Sequence, residues 1–482
     1  MTTQERIAEL EAENAALRAQ VGEVVALREQ VALLTAQVQT LQNRLSLDSH
    51  NSGKPPSSDG LARKTRSLRR PSGKRRGGQL GHRGETLHLV GPDQVDTVVA
   101  HRPTVCRACQ ALLDEQAAVT GCERRQVHDL PPMRLQITEH QALQVRCPSC
   151  QQVTTAAFPA DAPSRAQYGR RLRAWVVYLV TQQCVPYARV RDLLAEGYGL
   201  HLSVGTLVTW IQQSAQALAP VETALKQALR QAPVLHSDET GVRRAGRLAW
   251  AHVTSTVRLT HYAIHAKRGA EATDASGILP RYTGVSVHDG WKPYQTYTSC
   301  RHALCNVHHL RELTFLEEHE QQPWATTLKA VLSEMRAAVA HARAGGQAQL
   351  PAALRAAFVA RYEQALIVGR AANPPPERRP GQRGRLKQSS ARNLLERLTL
   401  GQAQVLAFLD DFAIPFDNNQ AERDLRMLKV QQKVSGSFRS DAGADAFAAL
   451  RGYVSTLRKQ GVALLSALET LFTARPLYPA FA

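Results

Sequence analysis

The sequence has no apolar run long enough to cross a bilayer. Its longest uninterrupted apolar stretch, AWVVYLV at 174–180, is far shorter than the ~20 residues that a transmembrane helix needs. The first residues also lack the charged, apolar and small-residue segments of a signal peptide. These absences argue against a membrane-spanning or secreted protein and predict a cytoplasmic one.

Acidic residues are few, and this gives the chain a strong positive charge. The 482 residues include 60 Lys and Arg but only 41 Asp and Glu, so the formal net charge is +19. A polyanion is the expected partner of so basic a chain, and nucleic acid is the leading candidate because no membrane segment is present. The chain is long enough for two or three domains.

The eight cysteines should be thiols or metal ligands rather than disulfides in a cytoplasmic protein. Two CxxC pairs, Cys106 with Cys109 and Cys147 with Cys150, offer four thiolates, the set that a structural Zn²⁺ prefers. A redox dithiol is the alternative, but it needs only one such pair. We therefore predict a zinc-binding, zinc-ribbon-like module over 101–160.

Residues 1–48 follow a heptad pattern that predicts a coiled coil. Valine alternating with leucine in its second half favours a parallel dimer, although a higher oligomer is also compatible. The alternative is a single amphipathic helix packed on its own domain. The apolar seam, interrupted by Asn14, consists of Ile7, Leu10, Leu17, Val21, Val24, Leu27, Val31, Leu34, Val38, Leu41 and Leu45.

A basic linker, 49–100, follows the heptads and is rich in Gly, Pro and Ser, so it cannot bury a core. We predict that its cationic arm lies along DNA phosphates; the alternative is a solvated tail that only aids solubility. The arm comprises Arg63, Lys64, Arg66, Arg69, Arg70, Lys74, Arg75 and Arg76.

The next region, 161–232, is predicted to be helical. Within 186–213 a helix, a glycine-containing turn and a second helix capped by Ser203 resemble a helix-turn-helix. Its second helix would present Thr206, Thr209 and Gln213 outward. A helical hairpin of this kind can also be purely structural, and the sequence leaves both interpretations open.

Residues 233–310 change to the period of β-strands. Three strands, a helix and two further strands predict a mixed sheet. Asp238 is expected at the end of the first strand and Asp289 at the end of the fourth, which places both carboxylates at one sheet edge. Such a site requires a third acid from a helix packed beside it.

The segment PFDNNQAERDLR, 415–426, supplies that acid. Asp417 fits an N-cap and Gln420 completes a capping box, whereas Glu422 shares a helix face with Arg426, a predicted DNA contact. Asp424 lies about 200° away around the helix and is expected at the surface. The alternative is that Glu422 only forms an ion pair with Arg426.

The sequence resembles the insertion sequence 66 family of DDE transposases over almost its whole length. The motifs that carry this resemblance are NSGKPPSSDG (51–60), GGQLGHRGETL (77–87), the two CxxC pairs, HSDETGVR (236–243), HDGWKPY (288–294), HALCNVHHLREL (302–313), FDNNQAERDLR (416–426) and SGSFRSDAGADAFAALRGYVST (435–456).

The resemblance implies a catalytic triad of Asp238, Asp289 and Glu422 in an RNase H-like, retroviral-integrase-like domain. That domain would comprise 233–310 and 401–475, with a helical insertion at 311–400. Cys305 and His308 match a CxxH motif of such nucleases, whose role the sequence does not define. The fold class is thus multidomain α/β, with a coiled coil, a zinc module and a helical region before the catalytic domain.

The implied activity is that of a bacterial insertion sequence's DNA transposase. The three carboxylates would hold two Mg²⁺ or Mn²⁺ ions about 3.5–4 Å apart for strand cleavage and strand transfer. The implied partners are the element's terminal inverted repeats, target DNA and small accessory proteins of the same element, in the cytoplasm at the nucleoid. The alternatives are a catalytically inactive DNA-binding regulator and a hydrolytic nuclease without strand transfer.

Overall fold

The computed structural model describes residues 3–52, 59, 73, 77–79, 81–376, 378, 383–384, 386–473 and 475–481. The cationic arm predicted to contact DNA lies outside the described residues: Arg63, Lys64, Arg66, Arg69, Arg70, Lys74, Arg75 and Arg76. In the part of the chain that is described, no helix has the length and apolar character to cross a membrane.

The N-terminal heptads form one continuous helix, α1 (Thr3–Ser46). Its apolar seam does not pack on the rest of the described chain: from Ile7 to Leu41 the seam side chains other than Asn14 are 45–63% exposed. The alternative of a helix packed on its own domain is therefore wrong for this seam.

The segment that follows α1 is attached to the body of the protein. Asn51 is buried, and its Nδ2 atom lies 3.2 Å from Nε2 of His319. His50 Nε2 lies 3.2 Å from a carboxylate oxygen of Glu318. These contacts connect the end of α1 to the end of a helix that packs beside the sheet.

The region that contains the two CxxC pairs has little regular structure. Its strands β1 (Gln144–Arg146) and β2 (Val153–Thr155) form an antiparallel hairpin around the second pair. A single bridge between Val105 and Leu112 encloses the first pair.

The predicted helical region contains four helices, and its predicted helical hairpin is confirmed. Ser203 caps the second helix of that hairpin by accepting the Thr206 backbone N–H at 3.0 Å. Gly199 ends the first helix in the left-handed conformation (φ 62°) that glycine adopts without strain. The four helices are α2 (Arg170–Thr181), α3 (Tyr187–Tyr198), α4 (Val204–Ala217) and α5 (Ala219–Gln231).

A five-stranded mixed sheet follows, and the predicted order along the chain, three strands, a helix and two strands, is confirmed. The spatial order is β5-β4-β3-β6-β7, in which the first three strands are antiparallel and β3, β6 and β7 are parallel. A short helix, α6 (Ala270–Ser276), connects β5 to β6. The strands are β3 (Val234–Arg244), β4 (Arg247–Ser255), β5 (Thr260–His265), β6 (Val285–His288) and β7 (Arg301–Leu304).

The predicted helical insertion packs against the β6–β7 half of the sheet. One hydrophobic cluster runs from Val285 and Val287 through the insertion to Phe416, so the insertion shares its core with the sheet. The predicted insertion, 311–400, contains most of α7 (Asn306–His319) and all of α8 (Pro323–Ala344), α9 (Ala352–Ala372) and α10 (Ser390–Leu400). Two short helices, α11 (Gln402–Val405) and α12 (Ala407–Asp410), follow it.

Two C-terminal helices, α13 (Asn419–Ser435) and α14 (Asp441–Lys459), cover the other half of the sheet, and a third, α15 (Leu464–Thr470), packs on α2. Leu425 and Leu428 of α13 pack on Val242 and Val253 of the sheet. This packing fixes α13 across β3, and Asn418 at its N-terminus bonds to Ser237 of β3 and to Cys305, which follows β7.

Candidate active site

The first predicted acid, Asp238, lies within β3 rather than at its end. Antiparallel pairing with β4 continues along β3 to Arg244, whereas parallel pairing with β6 stops at His236. The expectation of a strand end was wrong because the hairpin partner extends β3 beyond the parallel part of the sheet. Asp238 nevertheless sits where that parallel part ends.

The second acid, Asp289, directly follows β6, as predicted. Its Oδ1 atom accepts the backbone N–H of Trp291 at 3.0 Å. Asp238 Oδ1 accepts the N–H of Glu239 at 2.8 Å. Each carboxylate is thus oriented by a backbone donor nearby in its own chain segment.

The third acid, Glu422, lies in the first turn of α13. The buried residue Asn418 holds this end of the helix against the sheet through three contacts. Its Nδ2 donates to Ser237 O at 2.8 Å, its Oδ1 lies 2.9 Å from His236 Nδ1, and its N–H donates to Cys305 Sγ at 3.2 Å. These contacts bring Glu422 to the sheet edge that carries the two aspartates.

The contacts of Asn418 also replace the predicted capping box. The N-cap residue is Asn418 rather than Asp417, and its side chain bonds across to β3 instead of capping the helix. Asp417 Oδ1 still accepts the Asn419 N–H, at 3.1 Å. Gln420 donates to Asp424 rather than back to the N-cap. The predicted capping box does not form because the side chain of the N-cap residue, Asn418, bonds to Ser237 of the sheet instead.

Asp238 is close enough to Asp289 and to Glu422 to interact electrostatically with each, although in the described part of the chain the three carboxylates do not gather within 4.8 Å of one another. Burial raises the pKa of Asp238 well above its ordinary value, and the charges of Glu239, Asp289 and Glu422 raise it further. Among the residues that the structure describes, none of the three carboxylates forms an ion pair, and Glu422 Oε1 is buried with no hydrogen-bond partner. Arg426 is exposed, and among the described residues it forms no ion pair with Glu422, so the suggested pair is not observed.

This arrangement fits a divalent cation. Carboxylate oxygens are the ligands that Mg²⁺ prefers, and like charges without a basic partner are relieved either by protonation or by a bound cation. Asp238, Asp289 and Glu422 together supply such oxygens at one edge of the sheet.

A fourth acid, Glu239, was not singled out from the sequence. Its Oε1 accepts two hydrogen bonds from Arg268, at 2.9 and 2.7 Å, and its Oε2 accepts the Tyr294 hydroxyl at 2.6 Å. The Arg268 guanidinium also lies over the rings of Trp250 and Trp291, at 4.8 and 4.3 Å from their centroids. The only sequence signal was its position directly after Asp238, because its partners are distant along the chain.

Asp424 is buried rather than at the surface, so that expectation was wrong. It forms an ion pair with Lys459 of α14, with Nζ 2.8 Å from Oδ2. The angle around a helix cannot show which neighbouring helix covers a given face, and here α14 covers Asp424.

A second group of potential ligands adjoins the carboxylates. Single ligand atoms of Cys305, His308 and Glu422 all lie within 4.8 Å of one another. Cys305 is buried, and that burial raises its pKa to about 12. In the described part of the chain this is the only group of three or more such residues that gathers so closely.

The two CxxC pairs form nearly identical turns. Cys106 N–H donates to Ala111 O at 2.9 Å, and Cys147 N–H donates to Gln152 O at 2.8 Å. The backbone N–H of the second cysteine is the largest cause that lowers the pKa of Cys106, as of Cys147. The four described sulfurs are not gathered into one site, so the shared Zn²⁺ stays a prediction.

Comparison with known proteins links this site to one family. The model of the family described as "Transposase IS66 family" matches residues 165–446, which include the sheet and all three acids. A model described as "Family of unknown function (DUF6444)" matches residues 2–88. The chain is also 24% identical over 400 residues to the uncharacterized protein y4jD of Sinorhizobium fredii, an alignment that covers 76% of this chain and 74% of that protein.

Proposed function

The chain belongs to the IS66 family of transposases, and from this premise we propose that it is a DDE transposase that cleaves and joins DNA with Asp238, Asp289 and Glu422. Membership implies a transposase that binds DNA; the assignment of the three acids and of the chemistry is our proposal. The observation that carries it is that the buried Asp238 lies within electrostatic range of both Asp289 and Glu422, and that none of the three forms an ion pair within the described residues.

The order of elements supports an RNase H-like assignment for the catalytic domain. Three antiparallel strands are followed by two parallel strands on the other side of β3. The acids then come from the central strand β3, from the end of its parallel neighbour β6, and from a helix packed beside them.

Each acid contributes a ligand from a rigid element. When bound, two Mg²⁺ or Mn²⁺ ions would supply the positive charge that stabilises attack on the scissile phosphate and departure of its leaving oxygen. Asp238 and Asp289 are oriented by backbone N–H donors, and Asn418 positions the helix of Glu422. A site held by strands and a helix keeps its ligands preorganised for an in-line displacement.

DNA contacts are proposed for basic groups outside the carboxylates. Arg426 is exposed one turn beyond Glu422, where it could contact a phosphate. Thr209 and Gln213 on α4 are exposed as predicted, whereas Thr206 is half-buried and its hydroxyl contacts Ser203. The cationic arm and the CxxC module would add contacts to the element's terminal repeats, and target DNA would enter after cleavage.

The test is Glu422→Gln in cleavage of linear DNA that carries the element's terminal repeats, with Mg²⁺. The amide preserves side-chain size and helix propensity but is a poor Mg²⁺ ligand. Cleavage should fall by about 100-fold or more, as with loss of a preorganised electrostatic group. Binding of the same DNA in a mobility-shift assay should be retained.

Asp417→Asn is the matched control, since it makes the same acid-to-amide change five residues earlier and asparagine can still accept the Asn419 N–H. Its cleavage should match that of the unmodified protein. Normal cleavage by Glu422→Gln would refute the assignment. If the unmodified protein binds the DNA but does not cleave it with any divalent metal, the protein is a regulator. If it cleaves the DNA but does not join the 3′ ends to a target, it is a plain nuclease.

A further inference from the structure

We infer that Cys305, His308 and Glu422 form a binding site for a thiophilic divalent cation such as Zn²⁺. The site adjoins the carboxylate triad and shares Glu422 with it. Its ligands come from two helix starts: Cys305 and His308 begin α7, and Glu422 lies in the first turn of α13.

The geometry of the polar atoms supports a ligand at this position. Glu422 Oε1 and His308 Nδ1 are both buried and have no hydrogen-bond partner in the described structure. Buried polar atoms without partners are rare because their desolvation is not offset. A single cation between the two side chains would satisfy both atoms at once.

The sulfur is already placed as metal-bound thiolates often are. Cys305 Sγ accepts the backbone N–H of Asn418 at 3.2 Å, the kind of second hydrogen bond that orients a ligand and tunes its basicity. Cys305 is also only 1% exposed. Its neighbours therefore hold the sulfur in place, and bulk water has little access to it.

The donor set selects the class of metal. One thiolate, one imidazole and one carboxylate suit Zn²⁺, which binds each of these groups and leaves a fourth position open with three protein ligands. Sulfur and nitrogen donors are poor ligands for Mg²⁺. Zn–ligand distances of about 2.0–2.3 Å separate ligand atoms by roughly 3.3–3.8 Å, so small side-chain movements from the observed 4.8 Å limit are sufficient.

This site has a consequence for catalysis, which rests on the proposed function. Both sites draw on the carboxylate of Glu422, so an oxygen bound to a thiophilic cation is lost to the carboxylate triad. Bound Zn²⁺ would withdraw the third acid and inhibit Mg²⁺-dependent cleavage.

Cobalt titration of the full-length protein tests the site directly. A Co²⁺–thiolate bond gives a charge-transfer band in the near ultraviolet, and the CxxC cysteines contribute equally to the band of every variant. Cys305→Ser should bind one equivalent of Co²⁺ fewer than the unmodified protein. Glu422→Gln should weaken the affinity of the Cys305 site for Co²⁺ by about tenfold or more.

Cys300→Ser is the matched control. Cys300 is also buried, but its Sγ contacts Tyr297 O at 3.3 Å and it is not part of the cluster. The Cys300→Ser variant should bind the same number of Co²⁺ equivalents as the unmodified protein. If circular dichroism shows that Cys305→Ser is unfolded, His308→Asn replaces it with the same expectation.

Equal stoichiometry and equal bands for the unmodified protein and a folded Cys305→Ser would overturn the site. A cleavage assay with Zn²⁺ titrated against fixed Mg²⁺ tests the consequence: Zn²⁺ should inhibit the unmodified protein and Cys300→Ser more strongly than Cys305→Ser. Equal inhibition would overturn that consequence. If no protein cleaves DNA, the proposed function fails while the Co²⁺ stoichiometry still decides the metal site.

Discussion

At the residue scale, the neighbouring acids Asp238 and Glu239 have different surroundings. The Glu239 carboxylate bonds to Arg268 and to Tyr294, so its charge has partners. Asp238 has one backbone N–H donor and three acids around it. The fold therefore keeps one carboxylate paired and leaves the next one available for an incoming cation.

The first prediction is that Asp238→Asn stabilises the metal-free protein at neutral pH. The raised pKa means that the folded state binds this proton more tightly than the unfolded state does, so stability falls as pH rises above the ordinary value of 3.8. The amide removes that penalty, and Tm should rise by about 2–4 °C per kcal/mol recovered.

Thermal unfolding in EDTA across a range of pH checks this prediction, and the gain should disappear toward acid pH. Mg²⁺ should raise the Tm of the unmodified protein more than that of Asp238→Asn, because only the former has all three ligands. The control Asp192→Asn, in an exposed pair with Arg191, should change Tm little. A lower Tm for metal-free Asp238→Asn would contradict the prediction.

The three candidate acids could be proposed from the sequence, and their role stays a prediction; the surroundings of the neighbouring acids could not be foreseen. Asp289 follows its strand as expected, whereas Asp238 lies within β3. The partners of Asp424 and Glu239, by contrast, lie on elements far along the chain, Lys459 and Tyr294. Helical angles and strand alternation give the direction of a side chain but not the element that it meets.

At the element scale, one hydrogen bond to a carboxylate links α5 to the edge strand β5. Glu222 accepts a hydrogen bond from the buried His261, with Oε1 3.1 Å from Nε2, and also pairs with Lys226 at 2.8 Å. The hydrogen bond from His261 is the largest cause that lowers the pKa of Glu222 to about 2. The helical region is thereby connected to the sheet.

The second prediction is that Glu222→Gln destabilises the protein by about 1–2 kcal/mol at neutral pH, the low end for a charge-assisted bond in a partly exposed pair. A lowered folded pKa gives stability that is present above the ordinary 4.5 and lost as pH falls toward 2. The difference in Tm from the unmodified protein should therefore narrow below pH 4.5.

The matched control is Glu271→Gln. Glu271 pairs with Lys267 on the surface, and loss of this exposed ion pair should change Tm little. Thermal unfolding of the three proteins over a pH series is the measurement. A difference in Tm for Glu222→Gln that does not change with pH would rule out the ionic explanation.

The third prediction concerns the two CxxC turns. Each is followed by a glutamine in the left-handed conformation, Gln110 (φ 58°) and Gln151 (φ 61°), so both turns present their sulfurs alike. If one Zn²⁺ bridges them, Cys109→Ser or Cys150→Ser alone should remove all of its binding.

Metal analysis of freshly purified protein, with Cys305→Ser as the background, isolates this site. Cys305→Ser should contain one zinc per chain. Cys305→Ser combined with Cys109→Ser or with Cys150→Ser should contain none. Zinc that persists when one pair is disrupted would indicate separate sites, and absence of zinc from the background would refute the module.

The order of strands along the chain followed from periodicity, but their lengths and their pairing did not. Alternation predicted three strands before the helix and two after it, as found. The extension of β3 to Arg244 depends on its pairing with β4. The start of α13 depends in turn on the contact between Asn418 and Ser237. Both are set by tertiary hydrogen bonds, which compete successfully with local strand and cap preferences.

At the scale of the whole molecule, the exposed seam of α1 and the attachment of its end together suggest how two chains are arranged. Asn51 and His50 hold the segment after α1 against α7, and α7 begins at the candidate site. Pairing of two α1 helices would therefore hold two catalytic domains near each other. Such a pair could engage both ends of an element.

The last prediction is that α1 dimerises through this seam and that Leu34→Lys with Leu41→Lys converts the protein to a monomer. Both leucines are more than half exposed in the single chain, and two lysines at facing positions of a parallel pair would bury like charges. Light scattering after size-exclusion chromatography at micromolar concentration measures the mass. Ala32→Lys, exposed and outside the seam, is the control and should remain dimeric. An unmodified protein that is monomeric, or a double variant that stays dimeric, would show that the seam does not join the chains.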